Sequence, residues 1–245
     1  MIIIKNDKEI DLMRIAGRIV AETLLLVEKE VRPGITTAEL DRIAEEFITK
    51  HGAKPSFKGL YGFPASLCIS VNEQVVHGIP GGYVLKEGDI ISVDCGANIN
   101  GFHGDAARTF AVGNISEEAK RLIKVTEESF FKGLEFAKVG NKLTDISHEI
   151  QRYVEVSGFS VVREFVGHGI GKSVHEDPEV PNFGRPGRGP KLVAGMALAI
   201  EPMVNMGTYR VATLGDDWTV VSADKSLSAH YHSVITGLSG LQYLQ

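Results

Sequence analysis

The sequence predicts a mixed α/β (α+β) fold in which helices pack on strands in two similar halves. The length of 245 residues permits one large domain of this kind. Hydrophobic residues make up 43% of the chain and charged residues 23%, which is usual for a soluble globular protein. Segments with helical spacing alternate with apolar runs of strand length, and the pattern returns after about 106 residues.

Two helices are predicted near the start of the chain. Asn6 and Glu9 form the pattern of a capping box, and apolar residues then recur with helical spacing to about Val31. A second helix is predicted from Thr36, another N-cap residue type, to near Gly52, because a glycine at this position can end a helix.

Strands are predicted next, followed by a second pair of helices. Apolar runs of strand length occupy residues 67–71, 90–95 and 106–112. Ser116 then opens a helix that is predicted to end at Gly140. Thr144 opens another helix, which is predicted to end at Gly158.

The second pair of helices resembles the first, which indicates an internal duplication. Four positions match at a constant offset of 106: Gly34, Phe47, Ile48 and Gly52 with Gly140, Tyr153, Val154 and Gly158. Residues 85–94 likewise match residues 192–201, and both segments end in an acid, Asp94 and Glu201. A chance match of glycines and apolar residues is the alternative. If the duplication is real, halves of about residues 1–112 and 113–245 pack about a pseudo-two-fold axis in one domain.

Asp94 and Asp105 stand where a carboxylate is costly, because each ends or interrupts an apolar run. A buried pair of carboxylates either shares a proton or neutralises a cation. A hairpin with its turn near residues 98–101 would point both side chains to the same face. Glu201 would join them from the second half, and the glycines beside His168 let the backbone approach a ligand.

These four side chains fit a metal site. Three carboxylates and an imidazole, with no thiolate, suit Mn, Fe, Co or Zn, and the excess of negative charge suits two ions. Such a site polarises a carbonyl and activates water near neutral pH, which is hydrolytic chemistry. Taken singly, three of them have a structural alternative: Asp105 as a turn former, His168 as a loop residue and Glu201 as a strand end. The combination is harder to explain in that way.

Several segments carry a resemblance to a known family. They are residues 72–80 (NEQVVHGIP), 93–94 (VD), 101–110 (GFHGDAARTF), 166–171 (VGHGIG), 175–178 (HEDP) and 200–203 (IEPM). Together they closely resemble a type I bacterial methionine aminopeptidase, and the match covers almost the whole chain. The resemblance implies the pita-bread fold, in which a pseudo-two-fold repeat of helices packs on a central curved antiparallel sheet. It also implies removal of the initiator methionine from nascent proteins with a small second residue, by a single catalytic domain spanning residues 1–245.

The resemblance implies a role for each of the four candidate metal ligands. Asp94 would chelate one ion, Asp105 would bridge both, and His168 would hold the other. Glu201 would hold that second ion too, and would move a proton from the activated water. The implied cofactors are two divalent metal ions, Co, Mn, Fe or Zn.

The resemblance also implies a substrate site. His77 and His175 match the two histidines that contact the substrate, where an imidazole can donate to the scissile carbonyl or to the tetrahedral intermediate. The residues that fall where the family lines its methionine pocket are Phe57, Leu60, Phe63, Cys68 and Trp218. Core packing is the alternative for Phe57 and Leu60, whereas Cys68 suits a thioether and lies nine residues before His77. An ordinary turn histidine is the alternative for His77.

The chain departs from the family pattern near residue 232. The family carries a final bridging glutamate after a serine, an alanine and an aromatic residue, whereas residues 228–232 read SAHYH. Ungapped alignment puts His232 in place of the glutamate, and a one-residue deletion would instead leave the bridge empty. A neutral imidazole offers one nitrogen at a time and no charge. We therefore expect weaker binding of at least one ion, with a mononuclear site as the limiting case, and reduced activity. Residues 237–245 also differ from the usual family ending.

Two other functions stay open at this point. Prolidase and creatinase relatives share the metal centre, but they usually carry an extra N-terminal domain for which 245 residues leave no room. A metal-impaired pita-bread protein would bind peptides or protein partners without cleaving them. The missing glutamate keeps this non-enzyme alternative open.

Composition bears on location and partners. The sequence has no apolar run of the roughly 18 residues that a membrane span needs, and no recognisable secretory signal. Cys68 and Cys95 form neither a CxxC pair nor a disulfide framework, which fits a reducing compartment. The net charge of −5 argues against a nucleic-acid partner. We expect a cytoplasmic monomer whose partner is the N-terminal methionine of nascent chains, in proximity to the ribosome.

Overall fold

The structure is a computed structural model that describes residues 1–237 and, for the backbone alone, residues 242–243. The unusual segment at 237–245 therefore lies largely outside the described residues. In chain order the elements are α1 (Asp7–Glu30), α2 (Thr37–Lys50), β1 (Lys54–Pro55), β2 (Leu67–Val71), β3 (Gln74–Val76), β4 (Ile90–Ile99), β5 (Phe102–Ala111), α3 (Glu117–Leu134), α4 (Leu143–Val156), β6 (Ser160–Val161), β7 (Gly167–Gly169), β8 (Glu176–Val180), β9 (Ala197–Ile200), β10 (Met203–Asn205), β11 (Val211–Thr213), β12 (Val220–Ser222), β13 (Ser228–His230), β14 (His232–Thr236) and β15 (Gln242–Tyr243).

Side chains cap the first two helices as the sequence predicts. Asn6 and Thr36 each accept a hydrogen bond from the N–H three residues later. Glu9 and Glu39 reach back and accept from the N–H groups of the two cap residues. Both capping boxes are thus complete, and α1 and α2 end close to their predicted ends.

The second pair of helices differs from the prediction at its boundaries. α3 ends at Leu134 and not at Gly140, because the following residues form tight turns that bury Ala137. The Gly140 N–H then donates to the Leu192 carbonyl at 2.9 Å, which returns the chain toward the second half of the sheet. α4 begins at Leu143, one residue earlier than predicted. Among the described helices, none is long and apolar enough to cross a membrane.

β4 and β5 form one long hairpin, and the ladder pairs every residue of the two strands. Asn100 and Gly101 make its two-residue turn, with φ angles of 53° and 81°. The predicted turn position is therefore confirmed. The predicted strands at residues 90–95 and 106–112 are too short, because glycine and polar residues of low strand propensity also pair in the ladder.

The central sheet joins the two halves through β14. Its strand order is β1-β4-β5-β14-β9-β7-β8, with β2 paired to β4 and β15 paired to β14. All of these pairs are antiparallel. β14 thus lies between β5 of the first half and β9 of the second. The sheet is antiparallel, its strands differ in length, and helices pack on it. This arrangement confirms the predicted α/β fold.

Matching positions of the two halves have the same backbone conformation, as the internal duplication predicts. Gly34 and Gly140 have φ angles of 94° and 101°. Isolated bridges also recur at matching positions, Thr36 with Val84 and Lys142 with Lys191. Each half contributes its own buried apolar cluster, one around α1 and α2 and the other around α3 and α4. The division of the chain near residue 112 stays a prediction.

The N-terminal segment contacts the second half. The Lys5 N–H donates to the Gly195 carbonyl at 2.7 Å. The Lys5 ammonium group lies 2.5 Å from Glu176 Oε2, and the two side chains are only 3% and 6% exposed. On the exposed surface beside them, the Met1 ammonium group pairs with Asp177. The buried ion pair therefore joins the start of the chain to β8.

Candidate metal centre

The β4–β5 hairpin places Asp94 and Asp105 on one face of the sheet. Asp94 pairs with Ala107 and Asp105 with Gly96, so the two carboxylates lie on a diagonal across the ladder. Asp105 is 2% exposed. Burial, followed by the nearby carboxylates of Asp94 and Glu201, raises the pKa of Asp105 well above its usual range.

β14 places His232 beside these aspartates. His232 pairs with Ala107 on the side opposite Asp94, and the small alanine leaves the centre of this row open. His232 Nδ1 lies 3.7 Å from Asp94 Oδ1, and His232 Nε2 lies 3.9 Å from Asp105 Oδ2. Both distances are too long for hydrogen bonds. The imidazole, which is 1% exposed, thus faces a carboxylate with each nitrogen.

The second half supplies Glu201 and His168 to the same face. His168 in β7 pairs with Ala199 in β9, and Glu201 directly follows β9. His168 Nε2 lies 3.1 Å from Glu201 Oε1 and 3.7 Å from Asp105 Oδ2. His168 Nδ1 donates to the Gly169 carbonyl at 2.8 Å, which leaves Nε2 toward the carboxylates.

Glycine beside His168 is required by the packing of β7. A Cβ at Gly167 would collide with the Ala199 carbonyl oxygen. The backbone carrying His168 could not otherwise approach β9 so closely. At this position the glycine allows a close approach to a neighbouring strand, and the predicted approach to a ligand stays a prediction.

The charges of the cluster shift the pKa values of its members. Burial alone would raise the pKa of Glu201, but the imidazoles of His232 and His168 outweigh it and lower the pKa to about 2. Burial would lower the pKa of His168, but the Glu201 carboxylate dominates and the net pKa is raised. Positive charge is therefore strongly favoured at this point of the molecule.

The donor set fits a divalent cation. Buried polar atoms without a hydrogen bond in the described part of the chain include Asp94 Oδ1, both nitrogens of His232 and His230 Nε2. Such atoms lose the free energy of hydration without compensation, unless an ion or water binds them. Candidate ligand atoms form two sets, and within each set the atoms lie no more than 4.8 Å apart. One set comes from Asp94, Asp105 and His232, and the other comes from Glu201, His230 and His232. Oxygen and imidazole donors together suit the first-row metals.

A cavity of about 140 Å³ opens onto this cluster. It is lined by all the residues that the sequence singled out: Phe57, Leu60, Phe63, Cys68, His77, Asp94, Asp105, His168, His175, Glu201, Trp218 and His232. Its apolar end belongs to one hydrophobic cluster, in which the rings of Phe63 and Trp218 meet edge to face at 5.1 Å. Phe57 and Leu60 are thus both core residues and cavity-lining residues.

His77 and His175 border the cavity as neutral imidazoles. His77 has a φ angle of 60° directly after β3, and its ring meets the edge of Trp218 at 6.5 Å. The ring of His175 lies 4.5 Å from that of His168. Burial lowers the pKa of His77, and burial together with His168 lowers the pKa of His175 to about 4. Each can therefore donate one hydrogen bond into the cavity without carrying charge.

Two residues of the site were missed by the sequence prediction. Tyr61 lines the cavity and stacks on His175 at 5.9 Å, with its ring planes 4° apart. Nothing in its loop sequence distinguishes it. His230 lies beside His232, with ring centroids 5.7 Å apart. The His-x-His spacing was a signal, because alternate residues of an extended chain face the same side.

An outer cleft of about 690 Å³ adjoins the cluster. Its acidic lining residues are Asp94, Glu164, Glu176, Asp177, Glu179 and Glu201. Among the lining residues that the structure describes there is neither lysine nor arginine, and the Met1 ammonium group is the positive group at the rim. The cleft therefore favours a positively charged group such as a free amino terminus.

Residues 11–227 match metallopeptidase family M24. The match includes Asp94, Asp105, His168 and Glu201, and it stops before His230 and His232. The fold and the carboxylate–imidazole cluster define the same class, that of a metal-dependent peptidase. The chain belongs to metallopeptidase family M24.

Within this family the chain is similar to bacterial methionine aminopeptidases. It is 76% identical to the methionine aminopeptidase of Clostridium perfringens, over 96% of the chain and 94% of that protein. It is 59% identical to methionine aminopeptidase 1 of Bacillus subtilis, over 96% of the chain and 95% of that protein. The solved structure of methionine aminopeptidase from Thermotoga maritima superimposes with a TM-score of 0.98 at 46% identity, covering 100% of this chain and 99% of the other. The resemblance found in the sequence is thereby confirmed.

Proposed function

We propose that the protein is a methionyl aminopeptidase, a hydrolase that removes the initiator methionine from nascent proteins with a small second residue. The observation that carries the proposal is an apolar cavity that opens directly onto carboxylates and imidazoles. Similarity to methionine aminopeptidases over nearly the whole chain supports it. The whole chain, residues 1–245, acts as one catalytic domain with the site between its halves.

Asp94, Asp105, His168 and Glu201 would hold the divalent ions, with His232 as a further ligand. When bound, such ions polarise the scissile carbonyl and make water a better nucleophile near neutral pH. The donors suit Co, Mn, Fe or Zn. We propose two ions, one of which is bound less tightly because His232 brings no negative charge.

The chain's own residues orient the substrate and move its protons. His77 and His175, both neutral, donate to the scissile carbonyl and to the tetrahedral oxygen that develops on it. Glu201, whose carboxylate lies beside the cluster, accepts the proton from the attacking water and delivers it to the leaving amine. The acidic outer cleft attracts the free amino terminus of the substrate.

The apolar end of the cavity selects methionine. Cys68 and Phe63 are 6% and 4% exposed, and with Trp218 they line an enclosed space of about 140 Å³. A flexible thioether suits aromatic and sulfur-containing walls, with which its sulfur makes favourable contacts. The partner is thus the N-terminal methionine of a nascent polypeptide. Proximity to the ribosome, a cytoplasmic location and a monomeric state belong to the same proposal.

Incubation of the protein with Mn²⁺ or Co²⁺ and a Met-Ala-Ser peptide tests this function. We expect release of free methionine, no release from Met-Phe-Ser, and no release by a Glu201→Gln variant. Retention of the peptide without cleavage would instead indicate the metal-impaired binding protein. Cleavage of an Xaa-Pro dipeptide in place of Met-Ala-Ser would indicate a prolidase-like activity. Similarity to methionine aminopeptidases does not favour either alternative.

A further inference from the structure

We propose that His230 is a metal ligand, and that Glu201, His230 and His232 form a nitrogen-rich site for one divalent cation. The inference deepens the proposed function, since it concerns the same metal centre. It adds a ligand beyond residues 11–227, the part of the chain that matches the family. It concerns metal binding, so it can be tested without measuring peptidase activity.

The backbone around His230 is fixed on two sides. His230 ends β13, where it pairs with Met203 of β10. Its N–H donates to Thr109 Oγ1 at 2.9 Å, and the Thr109 hydroxyl donates back to the His230 carbonyl at 2.9 Å. The imidazole therefore projects from a rigid main chain, which is what a preorganised ligand requires.

The imidazole of His230 is buried, and one of its nitrogens lacks a hydrogen-bond partner among the described residues. The residue is 2% exposed, and its Nε2 has no hydrogen-bond partner among the described residues. Both nitrogens of His232 are in the same condition. Leaving a buried nitrogen unsatisfied is unfavourable, so several such atoms side by side indicate a bound ligand that satisfies them. A cation bound between these residues would satisfy nitrogen lone pairs that have no partner in the described part of the chain.

The geometry brings three donors to that centre. One ligand atom from each of Glu201, His230 and His232 lies within 4.8 Å of the other two. The two imidazole rings are nearly parallel, at 21°, with centroids 5.7 Å apart. Small side-chain rotations would therefore suffice to bring the three atoms onto one ion. His230 also lines the outer cleft, which gives an ion a path from solvent.

The donor set selects the ion. Two imidazoles and one carboxylate are the ligands of catalytic zinc sites, in which the fourth position stays open for water or substrate. Nitrogen donors favour Zn²⁺ and Co²⁺ over Mn²⁺, which prefers oxygen. A site built on His230 and His232 is therefore expected to bind Zn²⁺ and Co²⁺ more tightly than Mn²⁺.

Calorimetric titration of the metal-free protein with Zn²⁺ alone tests the proposal. We expect His230→Gln to weaken the tightest Zn²⁺ binding at least tenfold. The matched control is His51→Gln, which changes an exposed histidine at the end of α2 and should leave the affinity unchanged. Equal affinities of the parent and His230→Gln, with equal thermal unfolding of the metal-free proteins, would overturn the proposal.

A second variant gives a gain of signal if His230→Gln does not fold. In His230→Cys loaded with Co²⁺, a thiolate at a ligand position produces a sulfur-to-cobalt charge-transfer band that is absent from the Co²⁺-loaded parent. We expect this band, and its absence from the folded variant would overturn the proposal. Neither measurement uses a peptide, so a protein that binds metal through residue 230 but releases no methionine would contradict the proposed function alone.

Discussion

The two nitrogens of His232 face two different aspartates, at 3.7 Å for Asp94 and 3.9 Å for Asp105. An imidazole in this position separates the carboxylates without adding a negative charge. In the proposed metal centre, the carboxylates of Asp94, Asp105 and Glu201 would therefore supply all of the negative charge that balances the metal. A substitution of His232 by glutamate would add a fourth carboxylate to this cluster.

His232→Glu is expected to increase the affinity for the metal ion that is bound less tightly, and to raise the rate of methionine release. A unit charge at about 4 Å contributes roughly 1–4 kcal/mol, which corresponds to a gain in affinity of about fivefold or more. Metal content after dialysis and the rate of Met-Ala-Ser hydrolysis measure the two effects. Two tightly bound ions in the parent, together with equal turnover of both proteins, would contradict this expectation.

The Cys68 thiol is expected to resist alkylation in the folded protein. Burial, and then the carboxylates of Asp94 and Asp105, raise its pKa well above the usual range. A raised pKa means less thiolate at a given pH, and the thiolate is the species that reacts. Mass spectrometry after iodoacetamide treatment at pH 8 should show slow labelling of the native protein and rapid labelling in urea. Comparable rates in the two conditions would argue against this environment.

At the scale of single residues, the sequence predicted most of the residues that the structure brings together around the cavity. Asp94 and Asp105 could be found because strand alternation and a two-residue turn fix which face a side chain takes. His230 was missed although its His-x-His spacing with His232 is a local signal, and the sequence did not indicate that β13 and β14 belong to different sheets. Tyr61 was missed for a related reason, since its contact with His175 joins two distant loops.

The packing of α1 on β5 depends on a residue without a side chain. A Cβ at Gly104 would lie 2.5 Å from the Gly17 nitrogen and 2.6 Å from the Ala16 carbonyl carbon. These atoms belong to the backbone of α1, so they can move away only if the helix moves. The hairpin that carries Asp105 is therefore held at a fixed distance from this helix.

Gly104→Ala is expected to lower the free energy of unfolding by about 1–3 kcal/mol, the usual cost of overpacking. Gly82→Ala is the control, because a Cβ there meets no atom within 4 Å. Urea denaturation of both variants and the parent measures the difference. Identical midpoints for Gly104→Ala and Gly82→Ala would show that α1 and β5 separate without cost.

At the scale of elements, the capped helix starts were easier to predict than the end of α3 and the start of β5. Capping boxes mark the first residues of α1 and α2 because they satisfy specific N–H groups. The end of α3 at Leu134 was predicted too late, since turns that bury Ala137 against the core depend on tertiary packing. β5 begins before its predicted start for the same kind of reason: its pairing with β4 outweighs the low strand propensity of its glycine.

Across the whole molecule, the buried ion pair of Lys5 and Glu176 joins the N-terminal segment to β8. Removal of one partner leaves the other charge buried. Without Lys5, the Glu176 carboxylate would still accept a hydrogen bond from the Lys172 N–H, at 2.9 Å. This hydrogen bond offsets part of the free energy lost with the ion pair. Loss of Lys5 therefore weakens the contact between the N-terminal segment and the second half, although Lys5 lies close to the chain terminus.

Lys5→Met is expected to lower the free energy of unfolding by about 3 kcal/mol. The double variant Lys5→Met/Glu176→Gln should recover part of that loss, because no unpaired charge remains. Lys120→Met is the control, since it breaks only the exposed pair with Glu117. Thermal unfolding of the metal-free proteins measures all three, and equal destabilisation by Lys5→Met and Lys120→Met would contradict the expectation.

The position of β14 between β5 and β9 has a consequence for the order of synthesis. β14 follows β4, β5, β7 and β9 in the chain, yet it is the strand that closes the sheet between them. Both sets of candidate ligand atoms include His232, the first residue of β14. A growing or prematurely terminated chain that stops before residue 232 therefore has neither a closed sheet nor a complete metal-binding set. Incomplete translation products of this protein are therefore expected to bind divalent metal less tightly than the full chain.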